Sequence, residues 1–217
     1  NFSYHSKMTG VKTIFLLSIL ANFTFGTSLK ILNGQDAEQG QFPYQVYWCY
    51  DDSDGTNGCI NHCGGSIYND KTIITAAHCC LAVKSRWQSW KIVAGELDIT
   101  VDSGLEQTKR IINYLVHPDF NPKTLKNDIC LLTLDSPFEW NKNVQRIPLN
   151  SQLDLTSQCL VSGWGSNKKS AEVLQWIEVN LTDCEGDYDN QTMICTSDAP
   201  VSHSSILIMY KFQICQI

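Results

Sequence analysis

From residue 45 onward the chain consists of short runs rich in β-branched and aromatic residues, cut apart by clusters of Gly, Pro, Asn and Asp. That punctuation belongs to strands and turns. It predicts strands over 45–50, 64–68, 72–76, 91–94, 108–116, 129–134, 160–162 and 175–181, and none of these segments carries a sustained helical period. Many short strands without helices of useful length between them argue against a βαβ architecture and for an all-β barrel or sandwich. With 43% hydrophobic and only 18% charged residues in 217, the chain has the material for a real core, and disorder is not the expectation.

The ten cysteines ask for a compartment, because the same residues read as disulfides outside the cell and as metal ligands or thiols inside it. The N-terminal segment supplies one. Met8 opens a stretch containing Lys12, followed by an apolar run over 14–25 and the small residues Gly26, Thr27 and Ser28, which is the order of a secretory signal over 8–28. The run is about a dozen residues long, short of the roughly 20 that span a bilayer. Residues 1–7 precede the first methionine and read as upstream sequence translated with it. The expectation is therefore a secreted, extracellular protein with no membrane association once the signal is removed. Secretion also makes Asn180-Leu181-Thr182 and Asn190-Gln191-Thr192 candidate glycosylation acceptors. A net charge of −6, with no Lys/Arg run, leaves nothing to neutralise a phosphate backbone and speaks against nucleic acid as a partner.

Two polar residues stand out against apolar strand sequence. His78 follows the apolar segment ending Thr75-Ala76-Ala77, so the chain delivers it from buried backbone at a strand end. Asp128 directly precedes Ile129-Cys130-Leu131-Leu132, and a carboxylate beside a buried strand is costly unless it is hydrogen-bonded or paired. Taken singly, His78 reads as a structural histidine and Asp128 as a cap or turn residue. Taken together they are the residue types of a general base and the acid that holds its tautomer and stabilises its cation.

Their contexts resemble those of the trypsin/chymotrypsin family of serine proteases. Ile31-Leu32-Asn33-Gly34, with Gly40-Gln41-Phe42-Pro43-Tyr44-Gln45-Val46 after it, resembles a mature start preceded by Lys30 as the activation-cleavage residue. Cys63-Gly64-Gly65-Ser66-Ile67 and Thr75-Ala76-Ala77-His78-Cys79 resemble the strand pair around the family's histidine. Val116-His117-Pro118 and Asn127-Asp128-Ile129-Cys130-Leu131-Leu132 resemble the stretch bearing its aspartate. Cys159-Leu160-Val161-Ser162-Gly163-Trp164-Gly165 and Met193-Ile194-Cys195 resemble segments of the second barrel. Several motifs in the family's order make chance similarity negligible.

The resemblance implies a double six-stranded antiparallel β-barrel, here with an incomplete second barrel. The protease domain would occupy 31–200, split into a first barrel over about 31–147 and part of a second over about 148–200. Residues 29–30 would form a short propeptide and 201–217 a tail unlike the family. It further implies His78 as general base, Asp128 as its orienting acid, cleavage between Lys30 and Ile31, and Cys63–Cys79 and Cys184–Cys195 disulfides. Protein or peptide substrates and protease inhibitors are the implied partners of an active parent. No cofactor is required. The loop from Gly95 to Glu106 is similar in length to the family's calcium loop, with Glu96 and Glu106 at the carboxylate positions, although Ser103 stands where another acid is often found. An acidic solvated loop explains the same residues.

The family's nucleophile lies in a Gly-Asp-Ser-Gly-Gly motif, and no such motif occurs in residues 1–217. With it go the attacking hydroxyl, the backbone amides of the oxyanion hole and the aspartate that would receive the Ile31 ammonium. Ser202, Ser204 and Ser205 in the tail have nothing to hold them near His78. The expectation is a trypsin-like lineage whose chain, as it stands here, is inactive, with Cys159 lacking its usual partner and with Cys215 in the tail. The pairing of Cys49, Cys59, Cys80, Cys130, Cys159 and Cys215 stays open. Two other functions remain: a secreted non-catalytic homologue that acts by binding, and, more remotely, a zinc module built from Cys59, His62, Cys63, His78, Cys79 and Cys80.

Overall fold

The computed structural model describes residues 34–50, 60–82, 89–149, 158–165, 172–184 and 192–196. Ten strands and one short helix make up the regular structure described there. Six strands close into a barrel in the order β2 (Gln45–Tyr50), β3 (Ile60–Asn69), β4 (Thr72–Thr75), β7 (Cys130–Leu134), β6 (Gln107–Val116), β5 (Trp90–Ala94). Every pairing in it is antiparallel. Its interior is filled by Val46, Trp48, Ile67, Ile73, Ile92, Leu132 and Leu134, all fully buried or nearly so.

The unbroken apolar run of β2 has a specific cause. Val46 and Trp48 point into the barrel, while Tyr47 between them packs on the opposite side with Phe42, Tyr44, Val93, Trp164 and Leu174. Alternation of side chains along a strand puts neighbours on opposite faces, and here both faces are covered. The second cluster is the seam between the barrel and a further antiparallel sheet. In that sheet β9 (Gln175–Thr182) pairs with β1 (Gln35–Asp36), β8 (Gln158–Gly163) and β10 (Cys195–Thr196). Cys159, Val161, Val179, Leu181 and Ile194 form its own core. Ser162 reaches across the seam to donate a 2.8 Å hydrogen bond to the Gln45 side chain.

The described residues are therefore mostly β, as expected from the sequence's punctuation, with a closed six-stranded barrel and a second antiparallel sheet. The predicted strands match observed ones with differences confined to their ends. The exception is local and sits at the site. After β4 ends at Thr75, residues Ala77–Ala82 form a helix, α1, too short to show a period in the sequence.

Candidate active site

His78 lies in the first turn of α1, rather than at a strand end, and its side chain is 56% exposed. Three connections fix that helix. Thr75 at the end of β4 donates from Oγ1 to the Gly64 carbonyl at 2.8 Å. A disulfide joins Cys79 to Cys63 on β3, and a second joins Cys80 to Cys130 at the start of β7.

Asp128 arrives on a tight excursion between β6 and β7. The His117 amide donates to the Ile129 carbonyl and the Asn121 amide to that of Lys126, closing the excursion on itself. Leu125 and Asn127 both take positive φ, 58° and 55°, a region that costs a side-chain-bearing residue energy. The Asn127 side-chain amide donates to the Asp119 carbonyl at 3.1 Å and helps hold that conformation.

The two segments bring a fully buried carboxylate onto a half-exposed imidazole across 50 residues of chain. Asp128 Oδ1 accepts the His78 backbone N–H at 2.6 Å, and Oδ2 lies 2.7 Å from His78 Nδ1. An ionised carboxylate has only acceptors, so the proton in the second bond is on Nδ1. The ring's other nitrogen, Nε2, is thereby left with its lone pair, ready to take a proton from a hydroxyl. Nε2 lies 3.4 Å from Cys79 Sγ, a disulfide sulfur that carries no proton to give.

The acidic loop is organised by its own side chains. Gly95 opens it at φ 82°, where a Cβ would come within 2.7 Å of the Leu105 carbonyl oxygen. Glu96 accepts the Leu97 amide at 3.0 Å and lies 3.5 Å from the Tyr47 hydroxyl. Burial, followed by the charge of Glu106, pushes the Glu96 carboxyl up to about 7, and Asp98 adds to the shift. Tyr47 is raised well above its ordinary value, first by burial and then by Glu96. Glu106 accepts both the amide and the hydroxyl of Ser103, and its hydrogen bonds hold it below the usual carboxylate range despite some burial.

A third described disulfide links Cys184 to Cys195 in the second sheet. Cys49 and Cys159 are disulfide-bonded as well, so Cys159 is not left as a lone thiol. The zinc alternative loses its ligands. Cys63, His78 and Cys79 do cluster within 4.8 Å, but Cys63, Cys79 and Cys80 are all in disulfides, and a bonded sulfur offers no thiolate to a metal. Lys30, Ile31, Cys59, Asn190, Cys215 and the tail lie outside the described residues, as does the side chain of His62. What the sequence left open was the Cys80–Cys130 link. Its one signal was positional, since each cysteine follows a site residue by two.

The Trypsin family model matches residues 31–205. Trypsin-1 of Astacus astacus is 36% identical over 177 residues, covering 76% of this chain and 73% of that one. The chain belongs to the trypsin family. Among other family members, the trypsin of Sus scrofa is 34% identical over 177 residues, covering 76% and 71% of the two chains. Serine protease 1 of Rattus norvegicus is 32% identical over 199 residues, covering 87% and 75%. The fold recurs in human heparin binding protein, with a TM-score of 0.63 at 23% identity over 76% of this chain and 70% of that one. Trypsin-family proteases hydrolyse protein substrates, are bound by inhibitors and need no cofactor, and trypsins are typically secreted. Among the described residues no helix is long and apolar enough to cross a membrane.

Proposed function

We propose that this trypsin-family domain carries the base half of a peptide-bond hydrolase, with His78 as general base and Asp128 as the acid that orients it. The observation that supports this reading is the double grip of the buried Asp128 carboxylate on the His78 backbone and ring. In a hydrolytic step, Nε2 would take the proton of an attacking hydroxyl, and Asp128 would stabilise the imidazolium that results. Residues 1–217 contain no Gly-Asp-Ser-Gly-Gly segment, so the hydroxyl and the oxyanion donors have no source within them. The 217-residue chain accordingly does not cleave peptide bonds by itself.

The same reading makes residues 8–28 a secretory signal and places the activation cleavage between Lys30 and Ile31. It also assigns the 95–106 loop to a calcium ion. The donor set suits a hard dication: burial, and after it the charges of Glu106 and Asp98, raise the Glu96 carboxyl to about 7, and a bound cation would relieve both. Glu96 and Glu106 would hold the ion, whose part is to tether the loop.

The test is hydrolysis of peptide amides with Lys or Arg before the scissile bond by residues 31–217, produced by cleavage of the chain at Lys30. Turnover no greater than that of a His78→Ala variant is expected. Turnover that His78→Ala abolishes would show that these residues already hold a nucleophile.

A further inference from the structure

The Cys80–Cys130 disulfide stands at the point where two separately built parts of the site must agree. Cys80 follows His78 by two residues and Cys130 follows Asp128 by two. The bridge therefore spans the same gap as the His78–Asp128 contact, and both its cysteines are buried at 0% and 1% exposure. The β4–β7 ladder already joins the neighbouring strands from Thr72 with Thr133 to Thr75 with Cys130. Beyond Thr75 that ladder ends and the chain turns into α1, so the bridge takes over where backbone pairing stops.

We propose that Cys80 and Cys130 are positioning residues, whose bridge holds the imidazole-bearing helix in register with the carboxylate-bearing turn. Neither part is rigid on local grounds. α1 has six residues, well short of what an isolated helix needs to persist, and its Cys80-to-Ala76 backbone hydrogen bond is long at 3.4 Å. The turn before Asp128 contains two side-chain-bearing residues at positive φ, a conformation that survives only where surrounding structure over-determines it. The Cys63–Cys79 bridge ties α1 to β3 and makes no covalent link to the β6–β7 excursion that carries Asp128, whereas Cys80–Cys130 joins the two segments directly. A proton relay depends on sub-ångström placement of donor and acceptor, so a covalent tie two residues from each partner acts where slack matters. The competing explanation is that the bridge only stabilises the barrel, as any link closing a long loop would.

The inference rests on reading His78 and Asp128 as base and acid, and the experiment separates the two claims. The full chain is prepared with ¹⁵N-labelled histidine, and the low-field Nδ1–H resonance of His78 is followed by NMR. Its disappearance in Asp128→Asn assigns it to the pair; persistence there would overturn the base–acid reading itself. In folded Cys80→Ala/Cys130→Ala the resonance is expected to be lost through exchange with solvent. Cys184→Ala/Cys195→Ala, which opens a bridge in the second sheet, is expected to keep it even though that variant also melts earlier. If the alanine pair does not fold, Cys80→Val/Cys130→Ala, which refills the buried volume, is read in the same way. A resonance unchanged in either folded bridge-free variant would overturn the positioning role and leave only stabilisation.

Discussion

Replacing Asp128 by Ala removes the side chain that grips both the backbone and the ring of His78. Among its contacts within the described residues, the carboxylate accepts hydrogen bonds from the His78 amide at 2.6 Å and from Nδ1 at 2.7 Å, and it is fully buried. Hydrogen bonds to a charged group contribute about 1.5–3 kcal/mol each, so two are worth roughly 3–6 kcal/mol. Against this, the variant no longer holds a carboxylate out of water, a relief of a few kcal/mol that offsets part of the loss. The half-exposed imidazole can turn to solvent, so no charge is left stranded. The expected net loss is about 2–3 kcal/mol, equivalent to a melting temperature lower by roughly 5–10 °C for a domain of this size. Asp128→Asn should lose about half as much, because its side-chain oxygen still accepts the His78 amide while its NH2 can only donate toward Nδ1. The assay is scanning calorimetry of the three purified proteins at equal concentration. A shift below about 1 °C for Asp128→Ala would refute the reasoning, since it would mean that the buried carboxylate contributes less than about 0.5 kcal/mol net.

Three further outcomes follow from other parts of the molecule. Glu96 binds its proton more tightly folded than unfolded, at about 7 against an ordinary 4.5, so stability should fall as pH rises from about 4.5 to 7 and level off above; Glu96→Gln should flatten that slope. With screening at a half-exposed site the effect is about 1 kcal/mol, measured by urea unfolding across that range. Calcium at about 100 times its dissociation constant should raise stability at pH 8 by about 2.7 kcal/mol, and Glu106→Gln should abolish the gain in a thermal melt; no shift in the wild type would remove calcium from the account. Opening Cys80–Cys130, which closes a separation of 50 residues, should cost about 4 kcal/mol, against about 3 for Cys184–Cys195 with its separation of 11, and equal losses in denaturant titrations would argue against loop length as the cause.

The strands were legible because their signals are local: β-branched and aromatic runs ended by turn residues. Residues 45–50, for example, coincide with the observed β2. His78 and Asp128 were legible as residue types placed against apolar sequence. Their 2.7 Å contact was not, because no local pattern encodes a distance spanning 50 residues of chain. α1 escaped notice because six residues make less than two full helical turns. Cys80 and Cys130 could not be paired on paper, since six undecided cysteines permit fifteen connectivities and only packing chooses among them. The seam was hidden too. Tyr47 and Val93 read simply as strand residues, and it takes the second sheet to show why both faces of β2 and β5 are apolar.

On the proposed function, these residues supply the base and its acid but no nucleophile. Fluorophosphonate labelling after cleavage at Lys30 compares the folded chain with a version in which residues 201–217 give way to a trypsin-family segment carrying Gly-Asp-Ser-Gly-Gly and the strands that follow. No labelling of the first is expected, and stoichiometric labelling of the second, slowed by about 10³-fold or more in His78→Ala. Labelling of the first chain, or labelling of the second that does not depend on His78, would contradict it.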